Sequence, residues 1–357
     1  MRIYPLRKPP GHKPPITRWK LALPSGTSHV FTAYIGVQLH AKDTAATMAK
    51  SQVSSAIQSW LSAADAPSAV EKFAVIDGCD EEDAVVWVCY WTDAAKYQES
   101  LKTLSLSTLY SELPAPGRDS IGLWRETFTS NVSRLETNYS GLDYLPGLGR
   151  IPLSTTEEHE NSMYWGAARD RIPDSAHDLF PVAPDTKPAD IVPRGLGQHL
   201  IGTNFNNIVH IRSGQFWENC SQEEIDAYEG QLEPNLHAGL KYLWENPMET
   251  GARGLRYLRN DWVLENTKGS PRKETCGAGF FTSLDALESW AKTHRSHLAI
   301  YTGALRHYKK FEGRRKMRTW HEVSVLLEGN AEFEYLNCSP KTGVIQHIPL
   351  KLKNSYY

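Results

Sequence analysis

The chain has 357 residues, of which 40% are hydrophobic and 22% charged, enough for one large core or two fused ones. A formal net charge of −2 gives no global field for gripping polyanions, which argues against nucleic acid or an anionic membrane as partner. The longest strongly apolar run, Ala84 to Trp91, is far short of the roughly 20 residues that span a bilayer. With no signal-peptide stretch at the N-terminus either, the chain is expected to be cytoplasmic.

Residues 1–20 are rich in proline and basic residues with no acid, which predicts an extended, solvated arm. From His29 the pattern turns globular. Val30 to Leu39 reads as a strand, and Ala49, Val53, Ala56, Ile57, Trp60 and Leu61 then fall at helical spacing. The acidic stretch Asp77 to Asp83 lacks calcium-loop spacing and reads as a solvated turn before a strand over Ala84 to Tyr90. Trp91 to Tyr97 leaves that strand and enters a helix.

The second part repeats the plan. Ile208 to Ser213 is a strand candidate, and Ser221 to Glu224 is a capping box opening a long helix that Pro234 is expected to bend. Leu255 to Leu258 and Gly277 to Phe281 read as strands, and Phe281 to Leu287 echoes the Trp91 segment. Strands at His321 to Leu327 and Phe333 to Leu336 close the half, followed by a turn at Asn337 to Pro340. Strand-helix-strand-strand-helix-strand given twice predicts an α+β fold of two ferredoxin-like repeats, with helices flanking antiparallel sheets. The expected parts are the arm, a first half over 21–146 and a second half over 147–357. Histidines at 294 and 297 occur in one copy only, so function is expected in the second half.

Five scattered cysteines, Cys79, Cys89, Cys220, Cys276 and Cys338, argue against a disulfide framework. No Cys-x-x-Cys-His string exists, so any haem would be held without thioether links. His321 shares a strand face with Val323, Val325 and Leu327, which sets an imidazole toward an apolar interior. It is either a packed core histidine or a proton carrier near neutrality. His297 starts a helical stripe with Tyr301, Ala304 and Tyr308 and is placed to bind a metal, with His294 as competitor. Ser213 lies on the face of Val209 and Ile211, to orient a polar ligand or merely to begin a turn with Gly214. Arg171 shares a helical face with Tyr164 and Ala168, whereas Arg169 points elsewhere; a surface ion pair with Asp170 is the plain alternative for Arg171.

Several strings taken together resemble a family. They are Tyr-Trp-Gly-x-x-Arg-Asp-Arg-x-Pro at 164–173, Ile-Arg-Ser-Gly at 211–214, the histidines 294 and 297, His-Glu-Val-Ser-Val at 321–325 and Asn-Cys-x-Pro-x-Thr-Gly at 337–343. In that order and spacing they resemble the haem-containing aldoxime dehydratases. The resemblance implies dehydration of an aldoxime, R-CH=N-OH, to a nitrile on noncovalent ferrous haem b, on a fold of dimeric α+β barrel type with the haem between sheet and helices. It implies His297 as the iron ligand, His321 opposite, Ser213 on the oxime hydroxyl, Arg171 in the distal pocket and Glu136 in support, and a homodimer. The segment Glu158 to Met163 and the basic arm depart from the family pattern, and neither is expected to touch the chemistry. A haem peroxidase and a noncatalytic haem sensor or carrier are the rival readings. Phe216, Trp217, Phe280 and Phe281 are expected near the site.

Overall fold

The computed structural model describes residues 2–183, 194–261 and 272–355. In chain order the strands are β1 (Arg18–Ala22), β2 (His29–Leu39), β3 (Ala69–Gly78), β4 (Val85–Trp91), β5 (Ile121–Asn131), β6 (Leu135–Tyr139) and β7 (Thr155–His159). There follow β8 (Gln198–Thr203), β9 (Ile208–Phe216), β10 (Ala252–Asn260), β11 (Glu274–Phe281), β12 (Arg318–Leu326), β13 (Ala331–Leu336) and β14 (Lys351–Ser355). The helices are α1 (Thr44–Trp60), α2 (Ala94–Thr103), α3 (Leu106–Ser111), α4 (Ala115–Asp119) and α5 (Ala167–Arg171), then α6 (Gln222–Ala227), α7 (Glu233–Glu245), α8 (Pro247–Thr250), α9 (Leu284–Thr293) and α10 (Arg295–Lys310).

All the strands join one antiparallel sheet in the order β14-β8-β13-β5-β2-β4-β3-β10-β11-β9-β12-β6-β1-β7. The run β5-β2-β4-β3 and the run β12-β9-β11-β10 have the same relative order of their own strands, and β3 pairs with β10 where the runs meet. The sheet curls. Ser130 on β5 hydrogen-bonds Ser324 on β12 at 2.8 Å, although the two strands stand far apart in the sheet order.

Curling gives the strands two buried faces, which explains why so many of them are apolar throughout. β4 is buried at every position. On β12, Trp320, Glu322 and Ser324 point into the curl, and His321, Val323 and Val325 point out toward the helices. The inner face carries charge as well as apolar bulk. Arg212 donates to Glu71 at 2.7 Å and to the Tyr90 hydroxyl at 2.8 Å, Tyr90 bonds Glu322, and Arg256 forks onto Glu126 at 2.8 Å through both terminal nitrogens. Groups so buried are tolerable because each charge is paired.

Helices cover the outer face. In α1, Asp43 caps by accepting from the Ala46 amide at 2.7 Å, and Ala46, Ala49, Val53, Ile57 and Trp60 form the buried stripe. Around the second run the cover is α7, α9 and α10. The helix opened by the capping box is interrupted: a π-helical stretch at Tyr228–Leu232 separates α6 from α7, and Pro234 sits in the first turn of α7, where its missing amide hydrogen is harmless.

Several expectations need correction. The N-terminal arm is extended and largely exposed, but it is held at several points rather than free. Arg18 opens β1, which pairs with β6 and β7, and the Arg7 and Lys8 amides donate to Asp170 at 2.8–3.1 Å. The acidic stretch is not a solvated turn throughout, because Asp80 is buried against Arg256 at 2.6 Å. Ser213-Gly214 is no turn, since β9 continues to Phe216; a Cβ on Gly214 would sit 2.5 Å from the Trp320 indole, which occupies that space. Leu327 lies beyond the end of β12 and is exposed. All five cysteines are free.

Candidate functional site

A cavity of about 400 Å³ lies between the outer face of β9, β11 and β12 and helices α7, α9 and α10. Its sheet wall follows from register. Across β11, β9, β12 and β6 the residues Gly277, Ser213, His321 and Asn138 are direct neighbours in one row. In the adjoining row Ile211, Val323 and Glu136 are neighbours, so Glu136 stands diagonal to His321. Its helix wall is the stripe His297, Tyr301, Ala304 and Tyr308 of α10, all four facing the cavity. The remaining surface is largely apolar, including Leu236, Leu240, Leu243, Leu255, Phe281 and Ile300.

Glu136, Arg171 and His321 meet at one place. Arg171 donates from Nε to Glu136 Oε2 at 2.7 Å and from Nη2 to Oε1 at 3.1 Å, and Nη2 is 2.8 Å from His321 Nε2. His321 Nε2 is itself 3.0 Å from Glu136 Oε1. Burial alone would push the Glu136 carboxyl up, but Arg171 and His321 outweigh it and hold the group at about 2. Arg171 therefore pairs with a buried carboxylate, not with Asp170. Asp170 instead accepts from the arm and from the Tyr164 hydroxyl at 2.7 Å. Arg169 does point elsewhere, to Glu288 and Asp285.

The Nε2 of His321 thus lies between a donor that never accepts and a carboxylate that never donates. When the ring is neutral at Nε2 it accepts from Arg171; when Nε2 carries hydrogen it donates to Glu136. Nε2 thus has a partner whichever ring nitrogen carries the hydrogen. Nδ1 of His321 and Oγ of Ser213 make no protein hydrogen bond among the described residues, and both side chains line the cavity.

His297 is set differently. It packs edge-on against Trp290 at 4.9 Å and Trp165 at 6.0 Å, and its Nδ1 is buried without a hydrogen-bond partner. Burial lowers its pKa, with a partial offset from the Ala291 carbonyl, so the ring is kept neutral and its lone pair available. His294 does not line the cavity. It caps α10, with Nδ1 2.7 Å from the Ser296 hydroxyl, and stacks on Tyr242. The two histidines are thereby separated into a cap and a cavity group.

Other cavity residues escaped the sequence reading. Asn138 holds His159 Nε2 at 3.1 Å, and burial, then Arg171, lowers the His159 pKa to about 4. The Asn161 carbonyl accepts from Arg171 at 2.6 Å. The segment over Glu158 to Met163 therefore touches the site after all, and so does the arm, through Arg18. Of the four aromatics expected near the site, Phe281 alone lines the cavity; Phe280 lies inside the curl, and Phe216 stacks on Tyr144.

Comparison with known proteins places the chain in a family. The family model described as haem-containing dehydratase matches residues 33–344. A phenylacetaldoxime dehydratase of Bacillus sp. (strain OxB-1) is 31% identical over 340 residues, covering 94% of this chain and 93% of its own. An aliphatic aldoxime dehydratase of Pseudomonas chlororaphis is 30% identical over 345 residues, covering 97% of this chain and 95% of its own. The crystal structure of an aldoxime dehydratase in complex with butyraldoxime superimposes with a TM-score of 0.81 at 26% identity, over 98% of this chain and 94% of that one.

Proposed function

The chain belongs to the family of haem-containing dehydratases, and we propose that it converts an aldoxime, R-CH=N-OH, to the nitrile and water on haem b. The cavity residues fit that group. A flat apolar macrocycle suits the leucine and aromatic walls, and His297 offers a neutral imidazole with no competing side-chain partner. His297 is thus the residue to ligate the iron, with the haem between sheet and helices. Held by His297, a ferrous haem would supply the electron density that weakens the N–O bond.

The protein's own part is proton handling. Hydroxide leaves poorly, so His321 in its protonated form gives a proton to the departing oxygen. The neutral ring then takes the proton from the aldoxime carbon. Glu136 and Arg171 suit this cycle because one stabilises the charged imidazole and the other the neutral one. Ser213, the cross-strand neighbour of His321, holds the oxime oxygen beside it. Such acid–base assistance is typically worth about a hundred to ten thousandfold. An apolar R group, alkyl or arylalkyl, matches the cavity walls.

The observation that carries this reading is that Arg171 and His321, both bonded to the buried Glu136 carboxylate, line the same cavity as His297. A haem carrier or sensor has no need of it. We also read the two strand runs as ferredoxin-like repeats of dimeric α+β barrel type, with an arm over 1–20, a first half over 21–146 and a second over 147–357, in a cytoplasmic homodimer. The test is anaerobic mixing of the dithionite-reduced protein with phenylacetaldoxime or butyraldoxime, without peroxide. Nitrile formation is expected; a haem-loaded protein that makes none would refute the reading.

A further inference from the structure

Among the described residues the cavity is lined by few charged side chains, and nearly all are neutralised locally. Arg171 has Glu136, and Glu288 has Arg7 and Arg169. Arg18 is the exception. It is 5% exposed, yet it forms no ion pair: its contacts are the Tyr308 hydroxyl at 3.1 Å, the Thr319 hydroxyl at 3.0 Å and the Met163 sulfur at 3.7 Å, and its Nε has no partner at all. A guanidinium buried among neutral groups is costly unless an anion reaches it.

A second cation strengthens the case. Arg315 stacks over the Tyr308 ring at 4.6 Å and gives its hydrogens to the Met317 and Ser140 carbonyls, again with no ion pair among the described residues. The Tyr308 phenol records the resulting field: burial would raise its pKa, but Arg18 and Arg315 pull it below the usual value. Tyr308 lies eleven residues after His297 on α10, about 16 Å along the axis, so this positive corner is toward the far end of the cavity from the iron-ligating position.

We propose that Arg18, delivered by the N-terminal arm and backed by Arg315, binds a propionate carboxylate of the haem, which makes the arm part of the cofactor site. The inference rests on the haem reading above. A guanidinium suits a carboxylate because its donors form a planar fork, and charge-assisted bonds of this kind are the stronger ones. β1 presents Arg18 here because Trp19 and Leu21 turn the other way, into the core.

The test compares ferric protoporphyrin IX with its dimethyl ester, which keeps the macrocycle and iron and removes both carboxylate charges. The full-length protein is reconstituted with each, and loss of the porphyrin to excess apomyoglobin is followed in the Soret band. The wild type should lose the ester about ten- to hundredfold faster than the free acid. R18Q should lose the free acid nearly as fast as the wild type loses the ester, and esterification should then add little; Arg18→Lys should recover part of the difference. A wild type indifferent to esterification, or an R18Q that keeps the full acid-to-ester ratio, overturns the proposal. If R18Q does not fold, the wild-type ratio still decides against a propionate site when it is near one and for it when it is large. A protein that binds neither porphyrin refutes instead the haem reading on which the inference depends.

Discussion

At the level of single residues, the site combines one hydroxyl that is free for a ligand with a carboxylate that is fully paired. Among the described residues Ser213 Oγ has no protein partner, so S213A should leave unfolding free energy within about 0.5 kcal/mol of wild type while lowering nitrile turnover; urea melts and initial rates measure the two, and unchanged turnover would remove Ser213 from the chemistry. Glu136 is the opposite case. E136Q leaves Arg171 buried without its carboxylate and should cost on the order of 3–5 kcal/mol. Because the folded carboxyl sits at about 2, below the roughly 4.3 of an unfolded glutamate, its stabilisation is complete above about pH 4.3 and is lost as pH falls toward 2. The wild type should lose stability more steeply in that window than E136Q, because other paired carboxylates such as Glu224 and Glu334 titrate there in both; parallel slopes in urea melts would contradict the pairing. His321 was legible in the sequence from strand alternation and His297 from a helical stripe. Arg171 is legible as sharing a helical face with Tyr164 and Ala168, but Glu136 comes through resemblance alone, because their meeting depends on how β6 registers against β12 and where α5 ends, and no local pattern encodes either. Arg18 was hidden by its setting. The Pro-rich run before it looked like a tail, although the alternation Arg18, Trp19, Lys20, Leu21 was the mark of a strand.

At the scale of elements, the arm and α5 are held to each other by one carboxylate. Asp170 accepts from the Arg7 and Lys8 amides and from Tyr164, and Gly166, at φ +94°, admits the Arg7 side chain where a Cβ would lie 2.6 Å from it. Asp170→Ala should therefore loosen the arm around Arg7, although the Ile3 and Tyr4 amides still bond Ala176 and Arg7 still pairs with Glu288. Trypsin cleavage after Arg7 is expected to accelerate about tenfold or more in that variant, corresponding to the loss of hydrogen bonds to a charged acceptor. Equal cleavage rates would show that the arm is held elsewhere. The aromatics misplaced by sequence reading teach a related point: Phe280 and Phe281 are adjacent, and because side chains alternate, only one of them can face the cavity.

At the scale of the molecule, the two strand runs share one interior. Glu126 and Glu71 on β5 and β3 pair with Arg256 and Arg212 on β10 and β9, and β3 bonds directly to β10. Neither part on its own would neutralise these buried charges. Chains of residues 1–146 and 147–357 made separately should therefore show no cooperative melt by circular dichroism and take up no haem, whereas an independently melting fragment would mean that the interior is divisible. The periodicity of the sequence announces β2, β4 and β9 to β13, but not β3, β5 or β6, and not the curl. Nothing local says that Trp320, Glu322 and Ser324 on the second face of β12 are buried too.

In the proposed mechanism His321 carries the protons of the dehydration while His297 holds the haem. It is tested most directly by anaerobic nitrile formation from the reduced His321→Ala holoprotein, at haem content matched to wild type. A Soret band of wild-type intensity with turnover lowered at least about a hundredfold is the expected result, and wild-type turnover in that variant would contradict the account.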